Sequence, residues 1–183
     1  ITVGTGIGSG IVINGKVVRG ATNAAGELGH IKLQMNGGPI CGCGDTGCLE
    51  AFASGPAIVA MAQEYIKGGK STKFREMAAV EGGEITPYMV AKAAEEGDPV
   101  AKRIFEIIGE YIGIGLTSVI NLLNPERVII GGGVAESGEL LLGPIRKTIK
   151  ERAMVVAGNA VEIVPAQLGN SAGVIGASML IEG

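Results

Sequence analysis

The sequence predicts an α/β fold, a mixed sheet with helices packed on it, and three observations carry that expectation. The first twenty residues, "ITVGTGIGSGIVINGKVVRG", alternate apolar residues with glycine turns, as antiparallel strands do. Three segments in the middle of the chain each start with a capping side chain followed at once by proline, the signature of a helix start. Two short apolar stretches near the end, "RVIIGGGV" (127–134) and "VEIV" (161–164), flank a helical stretch at about 136–154, the pattern of strands joined through helices.

The hairpin reading rests on Asn14-Gly15. Both central positions of the favoured two-residue turn need positive φ, and this dipeptide between apolar alternations is the strongest short hairpin signal. "HIKLQ" (30–34) fits a further strand, and the glycines and Pro39 of the following segment predict a loop. Ser54-x-Pro56, Thr86-Pro87 and Asp98-Pro99 predict helices running to about 67, 97 and 123. In the third, Val100, Ile104, Ile107, Ile108 and Tyr111 recur at helical spacing, and beyond Tyr111 the run is apolar on every side, which predicts buried later turns. Gly113 and Gly115 weaken that helix by about 1 kcal/mol each, which suggests a neighbouring backbone passing close. Asn124-Pro125 stops it. Residues 68–85 are polar and glycine-dotted, a surface excursion, and Ser171 is placed to cap a last helix.

Composition narrows the function. A chain of 183 residues, 46% hydrophobic, can bury a real core as a single domain. The net charge of −3, with no basic block, gives no support for binding nucleic acid. The longest apolar run, "YIGIGLTSVINLL" (111–123), is too short for a bilayer and continues an amphipathic start, so it reads as a core helix and no membrane is expected. Three cysteines without a plausible disulfide partner point to a reducing compartment, the cytoplasm.

Those cysteines, Cys41, Cys43 and Cys48, fall within "GPICGCGDTGC", and His30, the only histidine, completes H-x10-C-x-C-x4-C. Three thiolates and an imidazole form a standard tetrahedral zinc set, and Gly42, Gly44 and Gly47 let the backbone turn tightly around an ion. Inert packing cysteines and a strained Cys41–Cys43 disulfide are the competing readings; the latter would strand Cys48. A zinc cluster can contribute roughly 10 kcal/mol or more to folding, enough to hold a loop almost devoid of apolar residues. Glu27 and Glu50 flank the cluster in sequence. Two carboxylates and an imidazole around one metal clip would suit a molecule rich in hydroxyls, though both acids also fit plain solvated surface.

Two glycine runs remain. "GTGIGSG" (4–10) lacks the Gly-Lys-Ser/Thr of a Walker loop and leads to a strand, not to the helix that a dinucleotide fingerprint opens. It fits a tight hairpin, and equally a hairpin whose backbone N–H groups face phosphates, with Thr5 adding a hydroxyl. "GGG" (131–133) after a buried strand allows close approach of a flat ligand, but glycines at strand ends are common.

Taken together, "VGTGIGSGIVINGKVVRGATNAAGELGHIKLQ", "CGCGDTGCLEAFASG", "LLNPERVIIGGGV" and "LGNSAGVIGAS" resemble the ROK family of repressors, open reading frames and kinases, and in particular its bacterial glucokinase-like members. The resemblance implies a ribonuclease H-like domain of the actin-like ATPase superfamily. It implies His30, Cys41, Cys43 and Cys48 as zinc ligands, and Glu27, His30 and Glu50 as partners of sugar hydroxyls. It implies Gly4, Thr5, Gly6 and Gly8 as a phosphate-binding segment, with Gly131, Gly132, Gly133 and Val134 beside the adenosine.

ROK kinases also carry, in a preceding smaller domain, a D-x-G-G-T loop and the aspartate that deprotonates the sugar; neither motif occurs in residues 1–183. The expectation is therefore the larger, C-terminal domain of a sugar kinase, with no catalytic base of its own and no turnover when isolated. The parent activity implied is phosphoryl transfer from ATP, with Mg²⁺, to glucose O6, by a homodimer. Two alternatives stay open: an N-acetylhexosamine as acceptor, and the sugar-sensing domain of a ROK transcriptional repressor, whose DNA-binding helices would precede this chain.

Overall fold

The computed structural model describes residues 1–179. β1 (Thr2–Val3) pairs antiparallel with β2 (Ile7–Gly8), and β3 (Val12–Ile13) with β4 (Lys16–Val17). Asn14 and Gly15 turn the second hairpin with φ of 52° and 74°, both in the left-handed region such a turn requires. β5 (Arg127–Ile130) runs parallel to β6 (Glu162–Pro165), with Val128 opposite Ile163. Thr2 forms a parallel bridge to Gly131, and bonds from Val3 N to Gly131 O (2.7 Å) and Gly131 N to Ile1 O (2.8 Å) carry β1 onto the end of β5. The two-stranded sheets β1-β2 and β5-β6 thus meet edge to edge in the order β2-β1-β5-β6 through this one bridge, although they come from opposite ends of the sequence.

Eight α-helices lie among the described residues: α1 (Leu49–Ala53), α2 (Gly55–Lys67), α3 (Lys73–Val80), α4 (Pro87–Glu95), α5 (Pro99–Leu123), α6 (Glu139–Arg152), α7 (Val155–Ala160) and α8 (Ala172–Met179). α5 organises the rest. It starts where Asp98 accepts the N–H groups of Val100 and Ala101 and Pro99 opens the first turn, and it ends at Asn124 in the left-handed conformation. Ile104, Phe105, Ile108, Ile112, Leu116 and Ile120 form a fully buried stripe, and the helix packs against α1, α2, α4, α6 and α7. α5 is long and apolar enough to cross a membrane by composition, but here it is the core helix the sequence predicts.

Glycines set the spacing of α5 and α6. A Cβ on Gly113 would stand 2.6 Å from Thr148 Cβ, and one on Gly109 would stand 2.7 Å from Pro144 Cβ. At Gly115 the close neighbour is the Leu49 side chain, 2.8 Å from the added Cβ, and not a backbone.

Five sequence expectations need correction. "HIKLQ" is not a strand: Leu28–His30 is a 3-10 turn, and the amides of Leu33 and Gln34 both donate to Gly47 O as the segment wraps the cysteine loop. Residues 68–85 are not all surface, because Thr72 caps α3 and Phe74 anchors it in the core at 0% exposure. Ser54 stands before α2 without a side-chain cap bond, whereas Thr86 does cap α4 by accepting from Met89 N at 3.2 Å. The stretch from 136 begins as a 3-10 turn (Gly133–Ser137), with the α-helix starting at Glu139; Ser171, by contrast, stands directly before α8, where the sequence places it. The last turns of α5 are not buried all round: Leu122 is 82% exposed while Ile120 is fully enclosed, so amphipathicity persists to the end.

Candidate functional site: a Cys3His clip beside a glycine-walled cleft

The turn Leu28–His30 and the loop 38–48 face each other, joined by a bridge between Lys32 and Cys48 and by Leu49 N donating to Ile31 O at 2.9 Å. Glycine makes the junction possible: Gly47 has φ +75°, and a Cβ there would collide with the Gln34 carbonyl. The result brings His30, Cys41, Cys43 and Cys48 together, with one ligand atom from each lying within 4.8 Å of all the others. His30 Nδ1 is 3.6 Å from Cys41 Sγ, and Cys43 Sγ is 3.8 Å from Cys48 Sγ. A tetrahedral ion bonded at about 2.3 Å to sulfur and about 2.0 Å to nitrogen spaces its ligand atoms by roughly 3.5 to 3.8 Å. Two edges of the cluster already have those lengths, so the donor set fits a tetrahedral thiophilic metal.

The electrostatics of the loop match its geometry. Burial pushes the Cys41 thiol up to about 11, whereas a hydrogen bond from the Asp45 backbone lowers the exposed Cys43 thiol from its ordinary value. Lys32 Nζ donates to Thr46 O at 2.7 Å and to Cys48 Sγ at 3.4 Å, and pairs with Asp45 at 2.5 Å. This ammonium stands where a three-thiolate centre, net negative with a divalent ion, needs a counter-charge.

The two predicted acids both reach the cluster. Glu27 Oε2 lies 3.8 Å from His30 Nε2 and remains largely exposed. Glu50, at the start of α1, places Oε1 3.5 Å from Cys41 Sγ and accepts the Ile7 amide on Oε2 at 2.9 Å.

On the other side of the hairpin lies a cleft of about 990 Å³. Gly4 and Thr5 line one wall and Gly133 and Val134 another, so the two glycine runs, far apart in sequence, meet across one space. The remaining predicted glycines serve the walls from behind. Gly6 packs under Glu50, Gly8 pairs with Thr2, Gly131 bridges β1, and Gly132 (φ +92°) presses against the Val3 backbone where no side chain fits. Residues that sequence reasoning did not find complete the cleft, among them Gln63, Tyr88, Lys92, Glu95 and Ser137. Their signal was hidden because Gln63, Tyr88, Lys92 and Glu95 sit on helices α2 and α4 and Ser137 ends the 3-10 turn Gly133–Ser137, elements whose meeting with the hairpin depends on tertiary packing alone.

Comparison with known proteins places this arrangement. A model of the ROK family matches residues 1–183, the whole chain. The chain is 39% identical over 182 residues to a glucokinase of Halalkalibacterium halodurans, covering 100% of this chain and 55% of that protein. It is 35% identical over 181 residues to a xylose repressor of Caldicellulosiruptor bescii, covering 99% of this chain and 45% of the repressor. It superposes with a TM-score of 0.85 on the crystal structure of a ROK family glucokinase from Streptomyces griseus in complex with glucose and AMPPNP, at 38% identity, over 100% of this chain and 59% of that one. The chain thus spans about half the length of the curated relatives it matches. Its fold is the actin-like ATPase fold expected from the sequence. With its Cys3His loop, its glycine hairpin and a family match from end to end, the chain belongs to the ROK family.

Proposed function

We propose that this chain is the C-terminal domain of an ATP-dependent hexose kinase that transfers the γ-phosphoryl group of ATP to O6 of glucose. The observation that carries the reading is the shared hairpin: Ile7 bonds Glu50 of the hydroxyl-seeking cluster on one side, and Gly4 and Thr5 line a nucleotide-sized cleft on the other. The solved relative holding glucose and AMPPNP together supports it.

Phosphoryl transfer asks a protein chiefly to position its substrates and neutralise charge. Glu27, His30 and Glu50 orient the sugar, carboxylate oxygens accepting from its hydroxyls and the imidazole contributing its free ring nitrogen. Gly4, Thr5, Gly6 and Gly8 form the phosphate-side hairpin, and Gly131 to Val134 the wall beside the adenosine. The ion in the clip is zinc, held by His30, Cys41, Cys43 and Cys48, and its contribution is structural. Mg²⁺ enters with ATP. The aspartate that takes the hydroxyl proton lies in the preceding domain that the family resemblance implies, so the isolated chain turns nothing over. The protein works as a homodimer in the cytoplasm, where free thiols persist.

The test is glucose-dependent ADP release by the protein carrying this chain, with Glu50→Ala as the probe variant. ATP-dependent formation of glucose 6-phosphate, with weaker glucose binding in the variant and an unchanged fold, is expected; unaltered glucose affinity would contradict the role of Glu50. A second reading, a sugar-sensing repressor domain, is favoured by the xylose repressor relatives. Sugar-responsive binding to operator DNA, without ATP consumption, would establish it instead.

A further inference from the structure

We propose that Glu50 is a positioning residue that ties the hexose side of the site to the nucleotide cleft through the glycine hairpin. Its two carboxylate oxygens face different structures. Oε1 lies 3.5 Å from the Cys41 sulfur, and Oε2 accepts the Ile7 backbone N–H at 2.9 Å. Ile7 belongs to β2, whose partner β1 leads into Gly4 and Thr5 on the cleft wall. Glu50 does not itself line the cleft. It enters α1 two residues after Cys48, so the loop that gathers the thiols also fixes where the carboxylate stands.

The space for this contact is reserved in the sequence. A Cβ on Gly6 would stand 2.5 Å from Glu50 Oε2, so any side chain at that position displaces the carboxylate. Ile7 is only 3% exposed, and water is a poor substitute acceptor for its amide. A charged acceptor on a buried backbone donor makes one of the stronger hydrogen bonds available to a protein. The hairpin is also gripped elsewhere, by Ser9 Oγ on Gly26 O and by Gly55 N on Gly4 O at 2.7 Å. Neither of those bonds reaches the amide at the far side of the 4–6 turn. A hydroxyl that engages Oε1 therefore acts on the same group that holds the turn, and occupancy on one side is felt on the other. The identity of the two ligands rests on the kinase reading above; the Glu50–Ile7 contact does not.

Backbone amide exchange of the zinc-loaded protein, followed residue by residue, tests the contact in wild type, Glu50→Ala, Glu50→Gln and Gly6→Ala. The Ile7 amide should exchange about tenfold or more faster in both alanine variants, while α5 stays protected. Glu50→Gln, whose amide oxygen still accepts, should restore slow exchange. Gly6→Ala keeps the acid and only displaces it, so it reports on the contact even where Glu50→Ala folds poorly. Unchanged Ile7 protection in Gly6→Ala, or no rescue by glutamine, overturns the proposal. AMPPNP affinity should follow the same order, dropping about tenfold in the alanine variants and holding in Glu50→Gln; equal affinity in all four overturns the coupling. Absence of AMPPNP binding in wild type counts against the kinase reading, and the exchange measurement then decides the contact separately.

Discussion

His30 turns Nδ1 to the Cys41 sulfur, 3.6 Å away, and Nε2 to the Glu27 carboxylate, 3.8 Å away. One ring thus has a nitrogen in the clip and a nitrogen on the face where the sugar is proposed to bind. When Nδ1 is engaged by a metal, the neutral ring carries its proton on Nε2, and that nitrogen can only donate. Filling the clip therefore fixes the hydrogen-bonding character of the outer face as well as the shape of the loop.

Metal binding should be strongly pH-dependent, because the ligands must lose protons to bind. The buried Cys41 thiol, raised to about 11 from 9.0, keeps its proton in the metal-free fold throughout the neutral range. Protons compete with the ion, so apparent affinity must fall as pH falls. Competition with a chromophoric chelator between pH 6 and 8 should show affinity rising with pH; a flat profile would exclude Cys41 as a ligand. The metal-free protein has the opposite dependence. A thiol whose folded pKa is raised favours the fold below its unfolded value, and that stability is lost as pH climbs from about 9 towards 11.

Removing one sulfur should open the loop without unfolding the core. Cys43 is exposed and takes no part in the apolar interior, so Cys43→Ser spares packing while breaking the ligand set. Zinc content should fall from about one per chain in wild type, and limited proteolysis should cut within 36–50 while the helical circular dichroism persists. Lys32→Met should lower zinc affinity about 10- to 100-fold, the range for partners just outside the ligand shell. Undiminished affinity would mean that its contacts with Cys48 and Asp45 serve the loop alone.

The clip was legible in the sequence because its chemistry is local: three cysteines within eight residues and the chain's single histidine. So were the starts of α4 and α5, where cap and proline are adjacent. α3 was not, since its one strong anchor, Phe74, sits among polar neighbours and its other tie is remote: Lys73 N donates to Asp98 Oδ2 at 2.7 Å. The cleft was half legible. Its glycine walls could be named, but Tyr88 and Gln63 join them only through the packing of α2 on α4. "HIKLQ" failed because its alternation matches a strand while its amides are claimed by the cysteine loop.

Asp98 should be among the costliest polar residues to replace. It is 4% exposed, and its carboxylate accepts from Val100 N, Ala101 N and Lys73 N, so one side chain starts α5 and docks α3. Asp98→Ala leaves three backbone donors without this acceptor and should cost about 2–4 kcal/mol. Asp98→Asn keeps one oxygen acceptor and should fall between the two. Urea denaturation checks both, and a loss below about 0.5 kcal/mol for alanine would show that water replaces the carboxylate at little cost.

A pair of glycine-to-alanine changes should shift stability in opposite directions. Both sites are interior to helices, where propensity alone favours alanine by about 1 kcal/mol. On α6, an added Cβ at Gly143 meets nothing beyond its chain neighbours and its own helix backbone closer than Glu139 Oε2 at 3.9 Å. The crowding that Pro144 imposes on the residue before it trims the gain, so Gly143→Ala should stabilise by less than about 1 kcal/mol. On α5, a Cβ at Gly113 would meet Thr148 Cβ at 2.6 Å and the Ile145 carbonyl at 3.1 Å. Thr148 cannot swing aside freely, being buried with its hydroxyl on Pro144 O at 2.9 Å. The two helices must then separate along the core's principal seam, and overpacking of that kind costs about 1–3 kcal/mol. Gly113→Ala should therefore lower the melting temperature while Gly143→Ala raises it. If both raise it, propensity governs these positions and the close approach of α5 to α6 does not depend on the missing side chain.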